Sequence, residues 1–314
     1  MNASSARAHW HVAFSGGADS LALLLLLWAH WPERRRRLGV LHFDHRLRGP
    51  ASRADALFCR QVCATLKVTL RSAAWTDRPT KPSEAQAREA RMAFFQKHAR
   101  GLFLGHQQDD IAETMLMRLA RGSGAGGLAA PRPVQTMPGA GVRLRPLLSL
   151  KKAEIVAALR AQKIPWREDA TNAGPIFFRN RVRRDVVPAW GRAAERDALA
   201  GAARARELLE EDDVALESWL DSLHPLGARG TLSLAKLAGK PRALLRRALH
   251  RWLGGQPHAG DVSRQAFDAL LGALERGRPT RHSLGREGFA VITQRELRFE
   301  RSRNFRRKFR RRAN

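Results

Sequence analysis

The sequence predicts an α/β protein, with a parallel-sheet first domain and a smaller, mainly helical α+β domain behind it. Three observations point there. Short apolar runs alternate with helix-period segments through the first half, the pattern of strands joined by crossover helices. A glycine-rich turn, SGGADS at Ser15 to Ser20, sits between the first such run and the first helical segment. After Pro188 the texture changes to long, charged helix rich in alanine and leucine.

The elements follow in order. Trp10 to Phe14, Leu38 to Phe43, Lys67 to Ala73 and Leu102 to Gly105 read as four strands. Ala18 to His30, Arg53 to Thr65 and Ser83 to Arg100 read as the helices between them, long enough to carry the chain from one parallel strand to the next. Asp109 to Arg121 is a further helix that stops at Gly122 to Gly127, read as a mobile loop. Arg143 to Leu148 is predicted as an edge strand, and Leu150 to Gln162 as a helix. These elements make a first domain over residues 1–190. A helical connector over 191–220 leads to a small helical α+β domain over 221–300. There Pro241 to Leu253 and Val262 to Glu275 are amphipathic helices, while Phe289 to Thr293 and Leu297 to Glu300 are short strands. A basic tail covers 301–314; its stretch Arg301 to Arg312 holds eight basic residues in twelve, and reads either as a solvated terminus or as a phosphate-binding arm.

Lys+Arg 57 against Asp+Glu 29 gives a formal net charge of +28 over 314 residues, which points to a polyanionic partner. Most of that charge is arginine, whose planar fork suits phosphates and guanine edges. An arginine-rich surface without a dedicated partner is the plainer alternative. Tyrosine is absent, so any base stacking falls to Phe, Trp, His or Arg. The two cysteines, Cys59 and Cys63, lie four apart on a predicted helix; they exclude a disulfide scaffold and supply too few ligands for a zinc or iron–sulfur site. Leu21 to Trp28 is apolar but far shorter than the ~20 residues a membrane span needs, so no membrane association is expected and the cytoplasm is the predicted location.

Two constellations carry chemistry. In SGGADS the glycines allow a tight turn that brings backbone N–H groups against an anion, and the following helix adds its positive end. The loop lacks the GK[ST] ending of a Walker motif, so a lysine-assisted γ-phosphate mechanism is not indicated. An ordinary strand-to-helix turn capped by Asp and Ser is the plainer reading of an isolated SGG. The second string, GHQQDDIAETMLMRLARGSGAGGL from Gly105 to Leu128, opens a helix with His106, Asp109, Asp110 and Glu113 on its first turns. Asp110 and Glu113 are three apart and share a face, which suits a metal or the ammonium of a small amine. Acidic residues at a helix start are also common as simple caps.

SGGADS resembles the phosphate loop of the PP-loop ATP pyrophosphatases, which cleave ATP between its α- and β-phosphates. That resemblance implies a Rossmann-like PP-loop fold, with Ser15, Gly16, Gly17, Ala18, Asp19 and Ser20 at ATP and Asp19 also at Mg2+ and in catalysis. Within that family, the second string is similar to the HHxxDDxxET and RLxRGSGxxGL segments of lysidine synthases. Further similarity lies in DHRLR (Asp44 to Arg48), EAQAREARMAFF (Glu84 to Phe95), RPLL (Arg145 to Leu148), WREDATN and FFRNRVRRDVVP (Trp166 to Pro188). The resemblance implies a ligase that adenylates the wobble cytidine of a CAU-anticodon isoleucine tRNA and couples L-lysine to it. His106, Asp110 and Glu113 would then be catalytic, with Asp110 and Glu113 also holding lysine, and Asp109 joining Asp19 at the metal. Arg46, Arg118, Arg121, Arg145, Arg179, Asn180 and Arg183 would contact tRNA or phosphate. Glu168, Asp169 and Asn172 would read bases or form turns.

Two departures stand out: Gln107 replaces the second histidine, and Phe178 stands where Tyr is common. The chain resembles the short form of the family, and a homodimer stays open. Two rivals remain, a PP-loop tRNA thiolase and a catalytically silent tRNA-binding protein.

Overall fold

In a computed structural model, residues 10–47, 49–80, 83–137, 141–168, 177–227, 230–256, 262–285 and 288–302 are described. The chain divides into two compact units, Met1–Glu210 and Glu211–Asn314. The first unit is built on a six-stranded sheet of β1 (Trp10–Ala13), β2 (Leu38–Asp44), β3 (Thr69–Ala74), β4 (Gly101–Phe103), β5 (Val134–Met137) and β6 (Gly141–Leu144), in the order β3-β2-β1-β4-β6-β5. All neighbours are parallel except β5 and β6. The crossovers are α1 (Ala18–His30), α2 (Pro50–Thr65) and α3 (Glu84–His98). Successive strands therefore move one way from β1 to β3 and then jump to the other side of β1. The segments leaving β1 and β4 meet there beside a crevice at the carboxyl ends of the strands, where open α/β sheets bind ligands.

Burial explains why these segments form these elements. Val12, Val40, Leu41 and Leu102 are fully buried, as a central parallel strand covered on both faces requires. Leu21, Leu23, Leu24 and Leu27 of α1 join the same core as Cys59 and Cys63 of α2. Both thiols are free, and burial pushes each up to about 12. The sequence places β3 two residues early because Lys67 adopts a left-handed φ of 55° and turns the chain before the strand starts.

Two expectations need correction, and one element was missed. The strand near Arg143 is not at the edge: β6 lies between β4 and β5, and β5 takes the edge by pairing antiparallel with it. That hairpin was not predicted, because Val134–Met137 is a single short run with an exposed valine. Gly122 to Gly127 is not simply a loop, since α5 (Ala125–Leu128) forms a turn of helix inside it, fastened by a bond from Arg118 Nη1 to the Gly127 carbonyl.

After α4 (Gln108–Leu119) and α6 (Lys152–Ala161), one helical run follows as α7 (Phe178–Arg181), a π-helical turn at Val182–Val186 and α8 (Val187–Ala193). The first half of α9 (Ala198–Leu223) packs Ala202 with Ile111, Ala112 and Leu148. In the second unit, α10 (Arg242–Gly254) and α11 (Arg264–Arg276) pack Trp252, Leu244, Leu249, Leu270 and Leu271 into a core that also takes residues of a four-stranded antiparallel sheet. That sheet has the order β7-β10-β9-β8, with β7 (Leu232–Ser233), β8 (Thr280–Ser283), β9 (Gly288–Ile292) and β10 (Glu296–Arg301). Strands β7 and β8 were not predicted, being too short to show a period of two. No helix among the described residues is long and apolar enough to cross a membrane. Asp169, Asn172 and the basic tail beyond Ser302 lie outside the described residues.

Candidate active site

The turn after β1 is closed by its own hydroxyls. Ser20 Oγ accepts from the Ser15 N–H at 3.2 Å and donates to the Gly17 carbonyl at 3.0 Å, while Ser15 Oγ accepts from the Gly17 N–H at 3.3 Å. Gly16 takes a φ of +86°, and a Cβ there would meet Phe58 at 3.2 Å and Arg167 at 3.3 Å, so only glycine fits. Arg167 also fastens the turn from outside, donating its N–H to the Gly16 carbonyl at 2.9 Å and its Nε to Asp55 at 2.8 Å. Helix α1 starts at Ala18 with no side-chain cap, which leaves its positive end open to an anion.

Asp19 sits on that first turn. Its Oδ1 is buried with no hydrogen-bond partner among the described residues, and its Oδ2 lies 3.6 Å from Lys152 Nζ. Burial raises the Asp19 carboxyl above its ordinary range, Lys152 opposes that shift and Asp110 adds to it. A hard cation carrying triphosphate oxygens is what such an oxygen satisfies. Among the described residues no three His, Cys, Asp or Glu side chains gather to hold a metal.

Helix α4 begins where β4 ends, and its acids divide into two roles. Asp110 and Glu113 are buried and face Arg179 of α7 and Arg183 of the π turn. Arg179 Nε donates to Glu113 at 2.7 Å and its Nη2 to Asp110, while Arg183 Nε and Nη2 hold both oxygens of Glu113. Asp109 instead accepts from the Lys152 N–H at 3.0 Å, capping α6, and none of Asp109, Asp110 and Glu113 lines the cleft beside β1 or the basic hollow behind His106. Gln107 is the N-cap of α4: its side chain accepts from the Asp109 N–H, and its own N–H donates to Asp110 at 2.9 Å. An amide performs this capping well, so the first departure has a structural explanation. Phe178 lies under the Arg181 guanidinium.

A cleft of about 370 Å³ opens at the crevice beside β1. Ser15, Gly17, Asp19 and Ser20 form its polar side and Phe14, Phe43, Met92 and Leu104 its apolar side, with His106 and Arg145 also on the wall. Behind His106 a larger, basic hollow of about 1060 Å³ is lined by Arg88, Arg118, Arg121, Arg132, Arg143, Arg145 and Arg179. His106 and Arg145 border both. Burial, then Arg145, holds the His106 ring down at about 3, so it is neutral at physiological pH. Of the sequence-predicted residues, Arg46 is exposed and outside both cavities, its N–H bonded to Asp44 at 2.7 Å, and Asn180 is buried.

A family description, PP-loop domain, matches residues 1–190. The tRNA(Ile)-lysidine synthase of Gloeobacter violaceus is 39% identical over 286 residues, covering 87% of this chain and 84% of that protein. The chain belongs to the tRNA(Ile)-lysidine synthase family of PP-loop proteins. A second family member, from Solibacter usitatus, is 46% identical over 193 residues; the match covers 60% of this chain but 42% of that one. Among solved structures, the U34-tRNA thiolase NcsA from Methanococcus maripaludis, with its [4Fe-4S] cluster, matches with a TM-score of 0.51 at 18% identity, covering 67% of this chain and 75% of that one. That likeness is one of fold.

Sequence reasoning missed several residues at this candidate site. Lys152 links Asp19 to the α4–α6 junction, Arg88 and Arg91 come from α3, and Arg167 locks the glycine turn. Arg88 and Arg91 sit inside the EAQAREARMAFF string, which carried a signal for the family without one for the role.

Proposed function

We propose that the chain uses ATP to activate C2 of the wobble cytidine in a CAU-anticodon isoleucine tRNA and couples L-lysine there, giving lysidine. The observation that carries this reading is the convergence of the glycine turn after β1 with the His106 segment after β4 on one cleft. The cysteines speak against sulfur delivery, because two buried thiols held near 12 are poor carriers.

The open end of α1 receives the pyrophosphate end of ATP, with Lys152 beside it. Asp19 would hold Mg2+, which would neutralise charge on the triphosphate. The cytidine O2 attacks the α-phosphorus and pyrophosphate leaves; the lysine amine then attacks C2, the C2–O2 bond breaks so that AMP carries O2 away, and the amine proton passes to solvent. Asp110 and Glu113 are the carboxylates for the lysine substrate. Since Arg179 and Arg183 already neutralise them, an arriving ammonium exchanges one cation for another and frees a guanidinium for the AMP phosphate. The basic hollow beyond His106 is where the anticodon loop would enter, its target base splayed out at modest cost. The cytoplasm, where tRNA is modified, is the corresponding location.

The test is incubation with ATP, radiolabelled lysine and tRNA transcripts that differ only at the anticodon. Lysine should enter the CAU transcript alone, with AMP and pyrophosphate released. Pyrophosphate release with no lysine incorporated would overturn the ligase reading.

A further inference from the structure

His106 Nδ1 lies 3.2 Å from Arg145 Nε. A guanidinium N–H can only donate, so Nδ1 is the bare, accepting nitrogen and the proton of the neutral ring must sit on Nε2. Arg145 is itself immobilised: it is buried, with Nη1 on the Arg132 carbonyl at 2.7 Å and Nη2 on Gln135 Oε1 at 2.9 Å. Protonating the ring would set an Nδ1–H against the Arg145 N–H, donor against donor. The charges acting most strongly on the ring are also cationic, namely Arg145 beyond β6, Arg179 on α7, and Arg88 and Arg91 on α3. The ring therefore has no route to a second proton and no spare lone pair.

We propose that Arg145 is a positioning residue that locks His106 as the Nε2–H tautomer, and that His106 serves adenylation as a fixed hydrogen-bond donor instead of a proton carrier. A donor held in place before the reaction stabilises charge where it builds up, here on the phosphoryl oxygens around the α-phosphorus, without reorganising. The donor's target rests on the adenylation reading above; the tautomer is a property of the free protein and does not.

Ring NMR of the 15N-histidine-labelled full chain, with His106 assigned from its loss in His106→Gln, tests the lock directly. His106 should show a protonated Nε2 and a bare Nδ1, unchanged from pH 8 to pH 5; an Nδ1–H form or a titrating ring overturns the lock. In Arg145→Met the same ring should become a tautomer mixture that titrates, and an unchanged signal would also overturn it. Pyrophosphate release with the tRNA substrate tests the donor role. The amide of His106→Gln can donate but cannot carry a proton, so it should cost less than about 10-fold, whereas losing a proton carrier costs about 10²–10⁴. His106→Ala should cost about 10²-fold. Equal losses in the two variants overturn the donor role. Absence of release by the wild type would bring down the adenylation reading while leaving the NMR result standing.

Discussion

A Cβ placed on Gly105 would lie 3.0 Å from both the carbonyl carbon and the carbonyl oxygen of Asp19. The exit of β4 and the start of α1 are thus in backbone contact, which is what brings the two halves of the candidate site together. Gly105→Ala should push the Asp19 turn away, costing about 1–3 kcal/mol of stability by overpacking. Pyrophosphate release should fall with it. Urea unfolding alongside the turnover assay checks both, and a variant matching the wild type in each would mean that the contact is slack.

Asp19 bears a cost that function explains. Its carboxyl is raised chiefly by burial, so the stability it contributes is complete below the ordinary value of 3.8 and is lost as pH rises through the higher folded value. At neutral pH the carboxylate is a net burden. Asp19→Asn should therefore stabilise the protein at pH 7 while abolishing ATP-dependent pyrophosphate release. Retention of tRNA on filters should be little changed. A variant less stable than the wild type at pH 7, or one that still turns over, would contradict this account.

Glu113 is the hub of the buried ion cluster. Its side chain is 2% exposed, whereas Arg179 and Arg183 are 25% and 34% exposed. Glu113→Ala takes from Arg183 its main partner and leaves Arg179 only Asp110, and should cost about 2–3 kcal/mol, toward the low end for a broken buried pair because the arginines reach solvent. Adding Arg183→Met should recover part of the loss, so a double-mutant cycle by chemical denaturation should give a clear coupling. Additive losses would show that the cluster does not act as a unit.

Arg121 tests the basic hollow. It is exposed on the hollow's wall, whereas Arg118 is committed to the Gly127 carbonyl. Arg121→Ala should weaken tRNA binding and lower the slope of log affinity against log salt by about 0.7–0.9, one phosphate contact's worth. A slope equal to that of the wild type would move the RNA surface elsewhere. Arg118→Ala should act more broadly, because it also unfastens α5.

Legibility in the sequence followed length and local chemistry. Helix α1 was readable because its apolar run is long and uninterrupted, strand β2 because its short, largely apolar run follows the charged stretch Glu33 to Arg37, and the glycine turn because its residue types sit between a strand and a helix. Strands β5, β7 and β8 were hidden because two to four residues cannot display a period, and their pairing comes from distant partners. The helical run after Phe177 was seen only as a matched string, because its arginines give no amphipathic pattern until Glu113 and Asp110 are placed opposite them.

By itself the sequence determined the parallel-sheet class, the glycine turn between strand and helix and the acidic helix start, since each rests on local residue types and their order along the chain. Only the tertiary structure decided which acids face cations, that Asp109 caps α6, that Lys152 reaches Asp19, and which nitrogen of His106 carries its proton. Those facts depend on side chains from separate elements meeting at one reversal of strand order, where hydrogen-bond direction and burial, and not local spacing, set the charge state of each group.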